Sequence, residues 1–304
     1  MTMSRFPGDA NGYARPPAPI STRTSLGPVE HTRSGTGPAL LALHGGMGGY
    51  DQSWLLARAL LADMAAHEVL AVSRPGYLAT PQSLGPTPEA QADLYAHLLD
   101  ALGIERALVA AVSAGGPSAI QFALRHPDRC AGLILVSAAS GPLETAPVFL
   151  ARLRQLGWVS RIPGLIPLLR RRAMLDPLRS ASRSIPDADR AAQTLAHPLA
   201  GPLFMAVQCS ALTDVARRLP GTVVDTSHYL TMPAPPCERL TVPTLAIHGD
   251  ADPVVPVSHA ERVLAAPHAE ARILARGGHM ALFSHLDEVR AATGKFLSGK
   301  VPPS

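Results

Sequence analysis

The chain has 304 residues, of which 47% are hydrophobic and 16% charged, and its formal net charge is +4. This composition is typical of a globular protein with a large core and excludes an intrinsically disordered chain. No apolar run approaches the roughly 18 to 20 residues that cross a bilayer, so the sequence predicts no membrane-spanning segment.

The first part of the chain is rich in proline and arginine and has no apolar segment typical of a secretory signal. We predict a disordered tail over residues 1–35, with Ser25 to Ser34 as a candidate for short edge strands. Three widely spaced cysteines favour structural thiols in a reducing compartment, which predicts a cytoplasmic protein. They are Cys130, Cys209 and Cys237.

Between residues 36 and 140, short apolar runs alternate with amphipathic helical patterns. The predicted strands are Pro38 to His44, Glu68 to Ser73, Arg106 to Val112 and Ala131 to Ala138. The predicted helices are Gln52 to Ala66, Pro88 to Leu102 and Ala114 to Arg125. This alternation predicts an α/β fold with a mostly parallel, doubly wound sheet covered by helices on both faces.

The alternation of strand and helix patterns stops over residues 141–222, where leucines recur at helical spacing among prolines and arginines. We predict an inserted helical cap, followed by a return to the strand and helix pattern over residues 223–304. In this last part, strands are predicted at Thr244 to Asp250 and Ala271 to Leu274. Helices are predicted from Val257 to Leu264 and from Met280 to Leu297.

The cap has two further groups of residues with open roles. Its arginines form either a solvated helix face or a positive cap that repels amine substrates; they are Arg152, Arg154, Arg161, Arg170, Arg171, Arg172, Arg179 and Arg183. Its large apolar side chains either line a pocket or pack the cap on the core, and packing is the expected use. They are Leu143, Phe149, Trp158, Phe204 and Met205.

The apolar run from Leu108 ends in a serine with small neighbours, in the pattern small-x-Ser-x-Gly from Ala111 to Gly115. Such a turn between strand and helix strains the serine backbone and lifts the Ser113 hydroxyl over the carboxyl end of the sheet. A serine before a helix is also a common N-cap. A catalytic role therefore requires a base and an acid elsewhere in the chain.

Two later motifs supply the base and the acid. With these two motifs and the serine turn, the chain resembles the α/β-hydrolase family, in which serine, acid and histidine follow in that order. The motifs are His248 to Pro256 and Gly277 to Met280. The resemblance implies Ser113 as nucleophile, Asp252 as acid and His279 as base, whereas Asp250 is interpreted as structural. Two positions depart from the family: Ala111 replaces the usual first glycine, and Ser73 stands where many relatives carry an aspartate.

The resemblance also implies an oxyanion hole of two backbone amides. One is that of Ala114, and the other comes from the loop after His44, with Gly46 the first candidate and Met47 the second. The alternative is a glycine-rich turn that binds no ligand. His44 itself is expected to order this loop by hydrogen bonding.

These residues predict a serine hydrolase that cleaves a small carboxylic ester through an acyl-enzyme. One alternative is hydrolysis of a carbon–carbon bond in a dienoate or diketone substrate, and another is a non-catalytic, ligand-binding member of the fold. No cofactor or metal is expected, because no histidine pair has the spacing of a helical metal site. The expected partner is a small-molecule substrate, with no nucleic acid and no membrane.

Overall fold

The computed structural model describes residues 15–300 and contains, within them, a single eight-stranded sheet in the order β1-β2-β4-β3-β5-β6-β7-β8. The strands are β1 Ile20–Arg23, β2 Pro28–Ser34, β3 Ala39–Leu43, β4 Glu68–Val72, β5 Ala107–Val112, β6 Cys130–Val136, β7 Thr244–Gly249 and β8 Ala269–Leu274. Neighbouring strands from β4 to β8 in this order are parallel. Strand β1 pairs antiparallel with β2, and β2 pairs antiparallel with β4. The predicted mostly parallel α/β class is confirmed.

Helices connect the strands on both sides of the sheet. The core helices are α1 Tyr50–Leu60, α2 Pro88–Leu102, α3 Gly116–Arg125, α10 Ser258–Val263, α11 Ala281–Ser284 and α12 Leu286–Lys300. Helix α2 has the predicted bounds, because Thr87 caps its start and Gly103 adopts a left-handed conformation after its end. Helix α1 ends six residues before the predicted Ala66, since Asp63 accepts from the N–H of Ala65 and stabilises a turn there.

Both faces of the sheet are buried, and alternate residues of each strand reach opposite cores. Leu40 and Ala42 of β3 pack with α1 and α12 on one face. Leu41 and Leu43 pack with α2 and α3 on the other. The central strands β3, β5 and β6 are therefore apolar throughout, as parallel strands covered by helices are.

The structure corrects the predicted N-terminal tail. Residues 20–23 of the predicted disordered tail form β1, whereas β2 lies within Ser25 to Ser34, where the sequence predicted short edge strands, and pairs with β4. Val29 and His31 are 1% and 0% exposed. The burial of alternate side chains therefore stabilises β2 as a strand, despite the proline and arginine content of this segment. Residues 1–14 of that predicted tail lie outside the described residues.

Between β6 and β7, the structure contains six helices among the described residues. They are α4 Ala146–Val159, α5 Leu165–Leu175, α6 Pro177–Ser182, α7 Ala188–Ala196, α8 Ala200–Ala211 and α9 Val215–His228. Helix α9 continues six residues past the predicted cap end at residue 222, and the division of the chain into core and cap stays a prediction. In residues 15–300, no helix has both the length and the apolar character needed to cross a membrane.

Candidate active site

The turn after β5 holds Ser113 at a φ of 52°, a strained conformation for a residue with a side chain. A short 3-10 turn over Ser113–Gly115 leads directly into α3. A methyl group on Gly115 would lie 2.8 Å from the carbonyl oxygens of Leu43 and His44. Only glycine fits there, so close packing against the end of β3 fixes the serine above the carboxyl edge of the sheet.

His279 and Asp252 meet Ser113 at this edge. The Nε2 atom of His279 lies 3.0 Å from the Ser113 Oγ, and its Nδ1 lies 2.8 Å from Oδ2 of Asp252. The loop after β7 carries Asp252, and the segment between β8 and α11 carries His279. The structure thus brings together the serine, acid and histidine that the sequence predicted, in the predicted chain order.

The Asp252 carboxylate is buried and held by several donors. Burial alone would raise its pKa, but the hydrogen bond and charge of His279, with the N–H groups of Val254 and Val255, hold the pKa of Asp252 below its usual value. The group therefore stays ionised and accepts from His279. Asp250, by contrast, is exposed.

The loop after β3 supplies backbone amides beside Ser113. A methyl group on Gly45 would lie 3.1 Å from the Cβ of Ser113, which places this loop against the serine. Within the described residues, the N–H groups of Gly46 and Ala114 have no protein acceptor, whereas the Met47 N–H donates to Thr222 Oγ1 at 2.8 Å. Of the three predicted oxyanion donors, Gly46 and Ala114 are therefore available and Met47 is occupied.

His44 supports the same loop from beneath. Its Nε2 accepts from the N–H of Arg74 at 3.0 Å, so its Nδ1 carries the proton and donates to the carbonyl oxygen of Gly45 at 2.6 Å. Burial, and then the charge of Arg74, lower the pKa of His44 well below its usual value. The neutral ring contacts Tyr77 edge-on and makes the ordering hydrogen bonds that the sequence led us to expect.

A second buried charge cluster joins this loop to helix α9, and sequence reasoning missed it. Arg74 pairs with Asp225, and Tyr77 Oη donates to the same carboxylate at 2.5 Å. Burial alone would lower the pKa of Arg74, but the neighbouring Asp225 outweighs it and raises that pKa. Ser73, where an aspartate is usual in the family, instead donates to Glu30 at 2.7 Å.

A cavity of about 250 Å³ opens beside Ser113 and His279. Its walls come from α1, α8, α11 and the residues just after α6, and they are mostly apolar. Among the described residues, the lining includes no ionisable side chain apart from that of His279; the other lining residues are Gly45, Gly46, Gln52, Leu56, Val112, Ser184, Val207, Gln208, Ala211, Met280, Leu282 and Phe283. None of the eight cap arginines belongs to this set.

The five large apolar residues singled out in the predicted cap also lie outside the cavity lining. Leu143, Phe204 and Met205 are buried, which fits their expected use in packing. Trp158 is 70% exposed and so neither lines the cavity nor packs the core. All three cysteines are buried and free, and residues 15–300 contain no group of three potential metal ligands.

Comparisons with known proteins place this geometry in context. A family model described as alpha/beta hydrolase fold matches residues 38–180. The chain is 31% identical over 254 residues to the uncharacterized protein Rv2715 of Mycobacterium tuberculosis, covering 81% of this chain and 71% of that protein. It is 36% identical over 115 residues to the uncharacterized hydrolase YcgS of Bacillus subtilis, of which the match spans only 39%.

Other relatives have more specific names. A 2-hydroxy-6-oxononadienedioate/2-hydroxy-6-oxononatrienedioate hydrolase of Paraburkholderia phymatum is 27% identical over 276 residues, covering 88% of this chain and 90% of that protein. Among solved structures, an alpha/beta hydrolase fold protein from Nakamurella multipartita is 30% identical with a TM-score of 0.76, covering 93% of this chain and 100% of that one. A thermophilic esterase from Thermogutta terrifontis is 21% identical with a TM-score of 0.66, covering 94% and 100%.

Proposed function

Since the chain belongs to the α/β-hydrolase fold family, we propose that it is a serine hydrolase that cleaves a small carboxylic ester through an acyl-enzyme. One observation carries the proposal: Ser113, His279 and Asp252 form a continuous hydrogen-bonded chain at the wall of an apolar cavity. A serine hydroxyl is a weak nucleophile until a positioned base takes its proton. This arrangement provides that base, and its partner orients it.

In the first half of the reaction, Ser113 Oγ attacks the ester carbonyl carbon while His279 Nε2 takes the hydroxyl proton. The carbonyl oxygen becomes an oxyanion, and the N–H groups of Gly46 and Ala114 receive it. Asp252 stabilises the imidazolium through Nδ1. When the tetrahedral intermediate collapses, the ester C–O bond breaks, His279 returns the proton to the leaving alcohol, and the acyl group stays on Ser113.

In the second half, a water molecule repeats the attack on the acyl-enzyme. His279 takes a proton from the water, and the new oxyanion occupies the same pair of amides. Collapse breaks the bond to Ser113 Oγ, which recovers its proton from His279, and the carboxylic acid leaves. No step needs a group beyond the protein and water.

The cavity lining supports a neutral ester. Within residues 15–300, its polar side chains besides Ser113 and His279 are those of Gln52, Ser184 and Gln208. A dicarboxylate would enter without a cation to pair with, and a buried unpaired charge is costly. The polarity of the site therefore favours a neutral, largely apolar acyl or alcohol group.

Carbon–carbon hydrolysis is the second candidate, favoured by the likeness to the Paraburkholderia phymatum enzyme. The same serine and histidine could serve both reactions. Comparing the rates on a neutral aryl ester and on a vinylogous diketone acid separates them, and we expect the ester to react faster. A purely ligand-binding role is disfavoured, because it does not need the three groups in hydrogen-bond contact.

The experiment is turnover of short-chain aryl esters by Ser113→Ala. We expect loss of measurable activity with an unchanged melting temperature. Ser284→Ala is the matched control, because Ser284 Oγ also lies 2.9 Å from a histidine nitrogen, that of His285. Retained activity in Ser113→Ala, or an equal loss in Ser284→Ala, would remove Ser113 from the mechanism.

A further inference from the structure

An unusual share of the exposed large apolar side chains lies at the end of α4, in the turn after it, and on α5 and α6. Within residues 15–300, five of the eleven exposed large apolar side chains fall between residues 158 and 178. Trp158 is 70% exposed and Leu175 is 73% exposed. The others in this segment are Ile162, Leu168 and Leu178. Isolated exposed leucines are ordinary, whereas groups of exposed apolar side chains are typical of interaction surfaces.

Helix geometry places two of these side chains, Leu168 and Leu175, on one outward face of α5. Leu168, Arg171 and Leu175 follow at intervals of three and four residues and are all exposed. Ile166 and Leu169, on the opposite face, are half-buried, and α5 packs on α8. Leu178 and Arg179 are exposed on α6, whose Ala181 is buried in the core. We call the exposed residues of positions 158–179 the cap stripe.

The positive charge of the protein is concentrated around the cap stripe. Residues 146–183 contain eight arginines and one acidic residue, a formal charge of +7, whereas the whole chain carries +4. Among the described residues, no carboxylate forms an ion pair with Arg161, Arg171 or Arg172. Arg161 lies over the ring of Trp158, 5.2 Å from its centroid. The stripe thus combines unpaired cations with exposed apolar groups.

We propose that the cap stripe adsorbs to the surface of an anionic lipid bilayer. Exposed leucines and a tryptophan enter the boundary between headgroups and acyl chains, while arginines pair with anionic headgroups. A second copy of the chain is a poorer partner, because it would bring two surfaces of charge +7 together. A nucleic acid would use the arginines but leave the leucines exposed.

This proposal does not conflict with the absence of a spanning helix. The sequence predicted no membrane partner because no apolar run could cross a bilayer, but adsorption needs only one amphipathic face. Ser184, two residues after the end of α6, lines the cavity beside Ser113. If the proposed esterase function is correct, adsorption therefore brings the cavity close to esters dissolved in the membrane. The adsorption itself does not depend on that function.

The test is sedimentation of the full chain with vesicles. We expect it to sediment with an equimolar mixture of phosphatidylserine and phosphatidylcholine, to be released by added salt, and not to sediment with phosphatidylcholine alone. Trp158 emission should shift to shorter wavelength on binding, because that ring is 70% exposed, while Trp54 is already buried. Ser113→Ala should bind as the wild type does, which separates this test from that of the proposed function.

Two pairs of variants identify the surface. Arg171→Gln/Arg172→Gln should weaken binding about 25-fold, roughly fivefold for each charge near an anionic surface. Arg23→Gln/Arg239→Gln removes the same charge from exposed core positions and should change binding less than about twofold. Leu168→Ser/Leu175→Ser should also weaken binding, whereas the exposed core pair Leu26→Ser/Leu264→Ser should not.

Several results would overturn the proposal. Equal binding to neutral and anionic vesicles, or equal weakening by the two arginine pairs, would show that the cap stripe is not the surface involved. Dimerisation without vesicle binding would identify a second copy as its partner. The protein could instead bind duplex DNA but not vesicles, in a way that needs Arg171 and Arg172 but not the leucines. This result would identify a polyanion as the partner of the cap stripe.

Discussion

Two aspartates, Asp252 and Asp225, are buried, and each pairs with a basic side chain. Asp252 accepts from His279, which also contacts the Ser113 hydroxyl. Asp225 pairs with Arg74, whose backbone N–H donates to His44. Both carboxylates are buried, but their partners differ in one property: a histidine side chain can take up and release a proton during a reaction, whereas an arginine stays protonated.

Because of this difference, we assign a catalytic role to the Asp252 pair and a structural role to the Asp225 pair. The Asp252 pair can move a proton and ends at a nucleophile beside the cavity. The Arg74 guanidinium stays charged and, through Asp225, links the turn at Arg74 to helix α9, 151 residues later in the chain. We therefore expect substitutions at Asp252 to affect turnover and substitutions at Asp225 to affect stability.

Asp252→Asn should give the largest effect. The amide favours the wrong tautomer of His279, and loss of the equivalent acid in serine hydrolases costs about 10⁴ in kcat, or about 5 kcal/mol. The melting temperature should change little. Steady-state kinetics on an aryl ester, with thermal unfolding of the same sample, measures both; a similar fall in kcat in Asp225→Asn would erase the distinction between the two aspartates.

Asp225→Ala should be the most destabilising change at the Arg74 cluster. It leaves the buried Arg74 cation without its partner, which costs about 3–5 kcal/mol of unfolding free energy. Arg74→Met/Asp225→Leu removes both charges and should recover most of that loss. Urea unfolding monitored by circular dichroism gives these values, and a cost below about 1 kcal/mol for Asp225→Ala would contradict the structural role.

Acid pH should lower the free energy of unfolding by a smaller amount, through the buried side chain of His259. Burial, and then Arg262, lower the pKa of His259 to about 4. The unfolded chain takes up this proton as pH falls below about 6.5, whereas the folded protein resists until about pH 4. Stability from this group is therefore complete above pH 6.5 and should fall by about 2 kcal/mol between pH 7 and pH 5.

His259→Asn tests this pH dependence. Its side-chain oxygen can still accept from the Ser140 N–H, which lies 2.9 Å from His259 Nδ1, but it does not titrate. Unfolding free energies should then vary less between pH 7 and pH 5 than in the wild type. His268→Asn, at an exposed histidine, is the control. An unaltered slope in His259→Asn would assign the acid sensitivity to another group.

Thr222→Val should have the smallest effect on stability and turnover. This residue contacts the loop after β3, which carries Gly46 and Met47. The Thr222 hydroxyl accepts from Met47 N–H and donates to the carbonyl oxygen of Arg218. Its removal leaves the Met47 N–H unpaired, costs about 1 kcal/mol, and should lower kcat about fivefold by loosening the oxyanion loop. Thr222→Ser should restore kcat, and a change confined to KM would point to the cavity wall instead.

The sequence predicted the parts of the molecule that depend on local patterns. Alternating strands and helices, the tight turn at Ser113, and the motifs at Asp252 and His279 each occupy a few consecutive residues. The sequence offered residues 25–34 only as candidate edge strands beside a predicted disordered tail, because the partner β4 is distant in sequence and composition carries no record of that pairing. The Arg74 to Asp225 pair joins two regions without any shared motif, so only the folded chain reveals it.

The most direct test of the central claim is covalent labelling of the folded protein by a fluorophosphonate, read by intact mass and peptide mapping. The wild type should gain one phosphonyl group, on Ser113, because the activated oxygen displaces fluoride from phosphorus. His279→Ala should label far more slowly, and Ser113→Ala should not label at all. Failure of the folded wild type to react, or labelling that persists in Ser113→Ala, would contradict a serine-hydrolase mechanism at this site.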